Sequence, residues 1–320
     1  MKRKNFIMQA SNELTLEEAF KRFINAKKIT NKAEETIKYY EIRFEYLQEY
    51  IESQEPDIKY PSQILSSTID NYILWKKDNN PDISPNTINN HLRAFRAILY
   101  YFMEEGYMKG FTISLLTVKK NPKEAYSTEE QGLLLEKPNM KNCSFTEYRN
   151  WVIICHFLAT GNRSKTVRSI KVKHVNLSNR MILLSETKNH DVYEIPISNE
   201  YYPILAEYMQ IRNGQPEDFL FCSQYGNQLT DGGLRCIMRK YNLKHGVQKT
   251  SLHKFRNTFA RHWIMEDGST KKLQYALGHN DPKMVDEYVK LYGRDLKKDF
   301  DQYTPLSGFK DKINRRKIDM

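Results

Sequence analysis

The sequence lacks the features that mark membrane and secreted proteins. No stretch approaches the ~18 consecutive apolar residues of a membrane span, and the basic N-terminus MKRKNFIMQASNEL has no apolar core of a secretory signal. Its cysteines, Cys143, Cys155, Cys222 and Cys236, show no C-x-x-C spacing, which argues against a zinc site and a disulfide framework. Low-complexity runs and internal repeats are also missing. We therefore expect a cytoplasmic protein rather than a membrane, secreted or fibrous one.

Acidic residues are too few to balance the basic ones. The 320 residues include 50 Lys and Arg but only 39 Asp and Glu, so the formal net charge is +11 and the isoelectric point is about 9.2. An excess of this size favours an anionic polymer as the partner over a small neutral substrate. A chain of this length, at about 100–200 residues per domain, indicates two domains.

The first third of the chain has the pattern of a helical domain, which we place at residues 12–108. Thr15 and Glu18 have the spacing of a capping box, and Ser84-Pro85 has the N-cap and first-turn proline of a helix start. Apolar residues recur every three or four positions over 36–51 and 66–75, and again from Ser84 towards Gly106.

The helix after Ser84 carries polar side chains between its apolar positions. They form either a solvated surface or a DNA-contacting face, and the net charge favours DNA. These side chains are Asn86, Asn89, Asn90, His91, Arg93 and Arg96.

Residues 109–126 lack helical periodicity and are rich in lysine, which predicts an exposed interdomain linker. A second domain follows at 127–305, with a tail at 306–320. Ser127 and Glu130 have the spacing of a capping box, and the apolar run 151–159, followed by Thr160-Gly161, predicts a buried helix with a glycine stop. The pattern is helical except for three short predicted strands, over 170–175, 180–185 and 192–197, the last two joined by a turn at 187–190. The expected fold is therefore multidomain and mainly α, with a small antiparallel β-sheet in an α+β C-terminal domain.

Five scattered elements of the second domain carry side chains suited to chemistry. They are an arginine after the turn Thr160-Gly161, a lysine at the tip of the predicted hairpin, a His and an Arg three residues apart on one helix face, a histidine in a Leu-Gly-His turn, and a tyrosine nine residues later. The residues are Arg163, Lys188, His253, Arg256, His279 and Tyr288.

This set, in this order, resembles the tyrosine recombinase family, which includes phage integrases and chromosome-dimer resolvases. The family pattern is an arginine in a TGxR turn, a lysine on a hairpin, an H-x-x-R helix, an LGH turn and a tyrosine about nine residues later. Each piece alone is weak, but five pieces in register are specific. The resemblance spans nearly the whole chain and implies a helical core DNA-binding domain followed by a catalytic domain. Glu287-Tyr288 with Leu291-Tyr292-Gly293 is most similar to the integrases of mobile elements.

The resemblance implies a site-specific recombinase that cuts and rejoins DNA through a 3′-phosphotyrosyl intermediate. Tyr288 is then the nucleophile, Arg163 and Arg256 bind the non-bridging phosphate oxygens, and Lys188 protonates the leaving 5′ oxygen. His253 and His279 assist at the phosphate or in proton transfer. Such chemistry needs no cofactor or metal, and the sequence shows no carboxylate cluster suited to Mg²⁺.

Two positions depart from the family pattern. Thr166 lies three residues after the first arginine, where the family usually has an acidic residue that supports the active-site side chains. Asn162 lies before that arginine, where the family often has an apolar residue.

The segment between His279 and Tyr288 also has a structural consequence. Nine residues on one helix would put these two side chains on opposite faces. Asp281-Pro282 is expected to start a new helix, with Tyr288 in its second turn and presented rather than buried.

Ordinary roles exist for each residue taken alone. Arg163 could cap the preceding helix, Lys188 could be a solvated hairpin lysine, His253 and Arg256 could form a surface pair, and His279 could be a turn histidine. At the level of function, the alternatives are a DNA-binding architectural or regulatory protein without strand exchange, and a type IB topoisomerase. Retention of the whole set argues against the former.

The expected partner is double-stranded DNA at specific recombination sites, with self-association to a tetramer on DNA and accessory DNA-bending proteins as further candidates. The tail at 306–320 either docks on a neighbouring protomer through Leu306, Phe309 and Ile313 or is a disordered basic end.

Overall fold

The structure is a computed structural model that describes residues 13–118, 124–184, 192–278 and 282–292, the last without the side chains of 290–292. Lys188 with its turn, His279 and the tail at 306–320 lie outside these residues. The chain divides into two compact units, Met1–Lys120 and Asn121–Met320. In the described ranges, no helix combines the length and apolar character that a bilayer span requires.

The first unit is helical, as the sequence predicts. Its helices α1 to α4 span Leu16–Ile29, Glu34–Gln54, Ser66–Asn79 and Pro85–Glu104, with a 3₁₀ turn at Pro61–Gln63.

Two of the predicted helix starts are confirmed in atomic detail. The Thr15 hydroxyl accepts from the Glu18 amide while the Glu18 carboxylate accepts from the Thr15 amide, which closes the capping box of α1. Ser84 caps α4 by accepting from the Thr87 amide. The apolar faces of the four helices meet in one core around fully buried Phe23, Leu47, Tyr72, Leu92 and Phe95.

The segment after α4 differs from the exposed linker expected at 109–126. Ile113 is 2% exposed, its amide donates to the Tyr100 hydroxyl, and its carbonyl accepts from Arg96 Nε at 2.7 Å. Asn89 bonds both the amide and the carbonyl of Leu116. The segment is irregular, as its lack of helical periodicity predicts, but it is bound to α4. Side chains of α4 hydrogen-bond the backbone amides and carbonyls of the segment.

The polar face predicted on α4 consists of a part with structural contacts and an exposed part. Asn89 and Arg96 hold the 111–118 segment, and His91 is buried with its Nδ1 2.8 Å from the Tyr72 hydroxyl. These three residues are therefore structural. The exposed part of the face is Asn86, Asn90 and Arg93.

The second unit contains helices and a small sheet. In the described residues, helices α5 to α12 span Thr128–Leu135, Phe145–Thr160, Ser164–Ser169, Tyr201–Arg212, Asp231–Lys244, Leu252–Met265, Thr270–Ala276 and Lys283–Tyr292. Strands β1 to β3 span Val175–Asn176, Met181–Leu184 and Tyr193–Pro196.

The strands form an antiparallel sheet in the order β1-β2-β3, with Val175 opposite Ile182 and Leu184 opposite Tyr193. The second and third predicted strands are confirmed within one residue at each described end. The first, over 170–175, is wrong: Val172–His174 forms a 3₁₀ turn, and the Val172 amide donates to the Asp218 carbonyl instead of to a strand partner.

Helix α6 is the central element of the second unit. It is buried on nearly all sides, as its continuous apolar run predicts, and packs against α5, α8, α9 and α10. It ends at Gly161, whose φ of +62° is the left-handed conformation that favours glycine. The predicted glycine stop is confirmed, and it delivers the chain to Arg163.

Candidate active site

The turn at the end of α6 is held tightly against α10 and the chain after α11. A Cβ atom on Gly161 would lie 2.6 Å from Phe259 Cδ1 and 2.9 Å from Leu277 Cδ2, so a larger residue does not fit. The left-handed conformation and this close approach both require glycine. The turn brings the backbone of α6 to the two arginines that the sequence singled out.

Arg163 and Arg256 converge on the same short stretch of backbone. Arg256 donates from Nη2 to the Leu277 carbonyl at 2.7 Å and from Nη1 to the Gly161 carbonyl at 2.9 Å. Arg163 Nη1 reaches the carbonyls of Gly278 and Leu277 over longer distances, 3.3 and 3.5 Å. Arg163 thus binds the turn after α11 and does not cap α6, and its guanidinium lies beside that of Arg256.

The two arginines differ in burial and in electrostatics. Arg256 is 2% exposed, and burial together with the charge of Arg163 lowers its pKa to about 10. The hydroxyls of Tyr288 and Tyr193 oppose this shift. Because a pKa of about 10 is still well above neutral pH, Arg256 keeps its charge. A pair of like charges that is held in place by carbonyls is a ready site for an anion.

A cleft of about 630 Å³ opens beside this pair. His253, in the first turn of α10, is exposed at its edge, whereas Arg256 on the same helix is buried at its base. The two residues are therefore not a surface pair. Among the described residues that line the cleft none is acidic, and the basic ones are Arg163, Lys165, Arg235, Arg239, His253 and Arg256.

Tyr288 lies in the second turn of α12, and a separate helix does begin after Pro282, as the sequence predicts. The expectation that its side chain is presented is wrong. Tyr288 is 1% exposed, its ring packs with Ala260, Leu273 and Val285, and its hydroxyl donates to Asn257 Oδ1 at 3.2 Å. Tyr288 is buried because it lies three residues after Val285, on the face of α12 that packs against α10 and α11.

Lys188 and His279 are outside the described residues, but the chain on either side of them is informative. Lys188 belongs to the segment between β2 and β3, and His279 follows Gly278. The hydroxyl of Tyr193, the first residue of β3, is 2.5 Å from where a Cβ on Gly278 would lie. The first residue of β3 and Gly278 therefore meet beside Arg163.

Three side chains near the site were missed by the sequence analysis. Arg235 and Arg239 are one turn apart on α9 and line the cleft, a spacing that helical periodicity could have revealed. Tyr193 is near both arginines: burial raises the pKa of its phenol, while the charges of Arg256 and Arg163 lower it. Nothing in the sequence distinguishes Tyr193 from the other tyrosines.

Comparison with known proteins gives consistent matches over most of the chain. Residues 129–294 match the phage integrase family, and residues 12–113 match the phage integrase SAM-like domain. A tyrosine recombinase XerC of Leptospira interrogans is 26% identical over 292 residues, which cover 88% of this chain and 92% of the relative.

Solved structures show the same fold. The Tn1549 transposon integrase in complex with transposon right end DNA has a TM-score of 0.69 and 21% identity, over 87% of this chain and 95% of that one. A lambda integrase tetramer bound to a Holliday junction has a TM-score of 0.67 and 14% identity, over 87% of this chain and 78% of that one.

Proposed function

The chain belongs to the phage integrase family, and we propose that it is a site-specific DNA recombinase that cuts and rejoins strands through a 3′-phosphotyrosyl intermediate. The observation that carries this proposal is the convergence of Arg163 and Arg256 on one turn at the base of a basic cleft. Permanently charged guanidinium groups stabilise the negative charge that develops on a phosphate during transesterification.

In the proposed reaction, the Tyr288 oxygen attacks the scissile phosphorus, and the bond from phosphorus to the 5′ oxygen breaks. Arg163 and Arg256 bind the non-bridging oxygens, and Lys188 gives a proton to the leaving 5′ oxygen. His253 and His279 hydrogen-bond the phosphate or take up the phenolic proton. The phosphotyrosine conserves the energy of the broken bond, so rejoining by the reverse reaction needs no ATP.

Attack by Tyr288 requires a rearrangement. Its hydroxyl is buried and bonded to Asn257, and Tyr288 does not belong to the lining of the cleft. The hydroxyl also hydrogen-bonds with Arg256, so the phenol is already beside one of the two arginines and has to leave Asn257 and gain access to a phosphate bound in the cleft.

The first unit offers its own basic surface for DNA. Arg43 lies over the rings of Tyr39 and Tyr46, at 5.2 and 5.5 Å, and the exposed Asn90 and Arg93 of α4 are near it, since the Tyr39 hydroxyl donates to the Asn90 carbonyl. Cations held by aromatic rings are pre-positioned to bind phosphates. We propose that this face, together with the cleft of the second unit, binds double-stranded DNA.

The proposal also covers the assembly of protomers on DNA. Strand exchange joins two DNA sites, so we propose that four protomers act together on specific recombination sites, with accessory DNA-bending proteins as further partners. The pattern around Glu287-Tyr288 favours the integration or excision of a mobile element. The tail at 306–320 is proposed to act between protomers.

The decisive experiment asks whether Tyr288 becomes attached to DNA. The protein is incubated with duplexes that cover the DNA flanking its gene, and adducts are separated on denaturing gels. Tyr288→Phe should abolish the adduct because the nucleophilic oxygen is lost, while DNA affinity stays within about 1 kcal/mol of the wild type, since the ring still packs and one hydrogen bond is worth about that much.

The matched control is Tyr292→Phe, one helical turn away, which should retain the adduct. If Tyr288→Phe still formed a phosphotyrosine and Tyr292→Phe did not, the nucleophile would be Tyr292. Binding of the duplexes without an adduct in the wild type would favour an architectural protein. Relaxation of a supercoiled plasmid without paired sites would favour a topoisomerase.

A further inference from the structure

A network of three buried polar side chains, which ends at Asn162 in the lining of the cleft, has no part in the proposed reaction. His156, in the middle of α6, is wholly buried. Its Nδ1 lies 2.9 Å from the hydroxyl of Tyr201 at the start of α8, and its Nε2 lies 3.3 Å from Nδ2 of Asn162. Asn162 and Tyr201 are 3% and 2% exposed. Burying an imidazole, a phenol and an amide inside an otherwise apolar core costs free energy, so the arrangement calls for a reason.

The protonation state of His156 and the chemistry of the Asn162 amide determine the direction of the hydrogen bonds in this network. Burial lowers the pKa of His156 to about 3, so the imidazole is neutral at physiological pH. An amide nitrogen can only donate, so Nε2 of His156 accepts from Asn162. The ring proton is then on Nδ1 and is donated to the Tyr201 oxygen. The imidazole has one tautomer and one orientation, and Asn162 is held by it.

The backbone of the same turn is tied to the same histidine. The Thr160 hydroxyl donates to the His156 carbonyl at 2.7 Å and accepts from the Asn162 amide at 3.3 Å. Asn162 is therefore fixed through both its side chain and its backbone.

Arg163, the next residue, depends on this support more than Arg256 does. The hydrogen bonds of Arg256 to carbonyls are 2.7 and 2.9 Å, whereas those of Arg163 are 3.3 and 3.5 Å, at or beyond the normal range. The position of the Arg163 guanidinium is thus set less by its own contacts than by the backbone that carries it.

We propose, on the basis of the proposed function, that Tyr201, His156 and Asn162 are positioning residues that aim Arg163 at the scissile phosphate. The hydrogen bonds among these three side chains anchor the turn that carries Arg163 to the rigid core between α6 and α8. Each of the three residues acts through Arg163.

The test compares variants that remove a hydrogen bond of this network with a matched variant that leaves the network intact. Asn162→Leu and Tyr201→Phe remove one link each. Tyr208→Phe is the control, because Tyr208 is a buried tyrosine on the same helix as Tyr201, and its hydroxyl donates to the Leu220 carbonyl, away from the turn. The single-turnover rate of adduct formation and the affinity are measured on a duplex that the wild type cleaves.

We expect Asn162→Leu and Tyr201→Phe to slow adduct formation about ten- to hundredfold, as a displacement of about 1 Å at a reacting group does, and to leave DNA affinity within about twofold. Tyr208→Phe should change neither quantity. In an Arg163→Lys background, Asn162→Leu should cause less than about a twofold further loss, because residues that act through one another are not additive. A full additional loss in that background would overturn the proposal.

A second measurement does not depend on cleavage. The Nε–Hε resonance of Arg163 in ¹⁵N-labelled protein should be narrow in the wild type and in Tyr208→Phe, and broadened in Asn162→Leu and Tyr201→Phe. Unchanged resonances with unchanged rates would contradict the positioning role even though the adduct forms. Failure of the wild type to form any adduct would instead count against the proposed function. The resonances would still show whether the network holds Arg163 in place.

Discussion

At the scale of single residues, the candidate site depends on backbone carbonyls as much as on side chains. The guanidinium of Arg256 is buried because the carbonyls of Gly161 and Leu277 replace its lost hydration. Both carbonyls belong to turns whose geometry is determined elsewhere, at the end of α6 and at the end of α11. The guanidinium that the proposed reaction uses is therefore held in place by groups that carry no net charge themselves.

Gly161→Ala tests this dependence. The substitution forces a Cβ into the left-handed conformation and into contact with Phe259 and Leu277, so the free energy of unfolding should fall by about 3 kcal/mol. Adduct formation should also be lost, because the carbonyl that holds Arg256 moves. Urea unfolding and the adduct assay measure the two effects.

The control is Gly246→Ala in the same unit. Gly246 also has a positive φ, +75°, but nothing lies within 4 Å of its added Cβ, so only the backbone cost of about 1 kcal/mol is expected. Equal losses for the two variants would show that the close approach at Gly161 is unimportant.

The buried imidazole of His91 should make the stability of the first unit depend on pH. Burial, together with the charges of Arg43 and Lys76, lowers its pKa to about 4, against an unfolded value of about 6.5. Above pH 6.5 the imidazole is neutral in both states. Between pH 6.5 and pH 4 only the unfolded chain takes up the proton, so the free energy of unfolding should fall by up to about 3 kcal/mol.

Urea unfolding at a series of pH values, followed by circular dichroism, measures this loss. His91→Gln keeps an acceptor for the Tyr72 hydroxyl but has no titrating group, so its stability should decline less over the same range. The same pH profile in both proteins would rule out His91 as the cause.

At the scale of elements, α12 is attached through far fewer buried side chains than α6. Only Val285 and Tyr288 of its described side chains are buried, while Met284 and Val289 are 42% and 39% exposed. By contrast, α6 is buried on nearly every side. A helix held by two side chains can detach without unfolding the domain, which is what release of Tyr288 requires.

We therefore expect the amides of α12 to exchange with solvent much faster than those of α6. Val285→Ala should increase exchange in α12 further, because it removes one of the two buried anchors, whereas Met284→Ala at an exposed position should not. Hydrogen exchange measured by mass spectrometry checks this. Equal protection of α12 and α6 would mean that the tyrosine is not released by movement of this helix.

At the scale of the whole molecule, charge is the property that most directly concerns DNA. The net charge of +11 is accompanied by two local basic surfaces, the cleft of the second unit and the Arg43 face of the first. Each cation that meets a phosphate releases a counterion, so affinity for duplex DNA should fall steeply as salt rises.

Affinity measured by fluorescence anisotropy between 50 and 200 mM salt should fall by about 10³-fold or more if six or more phosphates are neutralised. Arg239→Ala should reduce the slope of log affinity against log salt by about 1, and Arg235→Ala should reduce it by less, because Arg235 already pairs with Asp231 Oδ2 at 2.7 Å. Lys137→Ala is the control, because Lys137 pairs with Glu207 and does not line the cleft. An affinity that did not depend on salt would contradict the electrostatic basis of binding.

The sequence by itself determined the features that depend on local interactions. Capping residues and apolar periodicity predicted the starts of α1, α4 and α5 and the glycine stop of α6, because these signals act within one or two helical turns. Residue spacing also brought Arg163, His253, Arg256 and Tyr288 into one hypothesis. Their roles remain predictions, as do those of Lys188 and His279.

Only the tertiary structure decided which polar groups are buried and which are free to act. Asn89 and His91 lie on the predicted polar face of α4, yet one binds the following segment and the other is in the core. Tyr288 is buried although its position in α12 was predicted, and Tyr193 lies near both arginines although nothing in the sequence distinguishes it from the other tyrosines. Burial and convergence are produced by contacts between residues far apart in the chain, and a local pattern contains no information about those contacts.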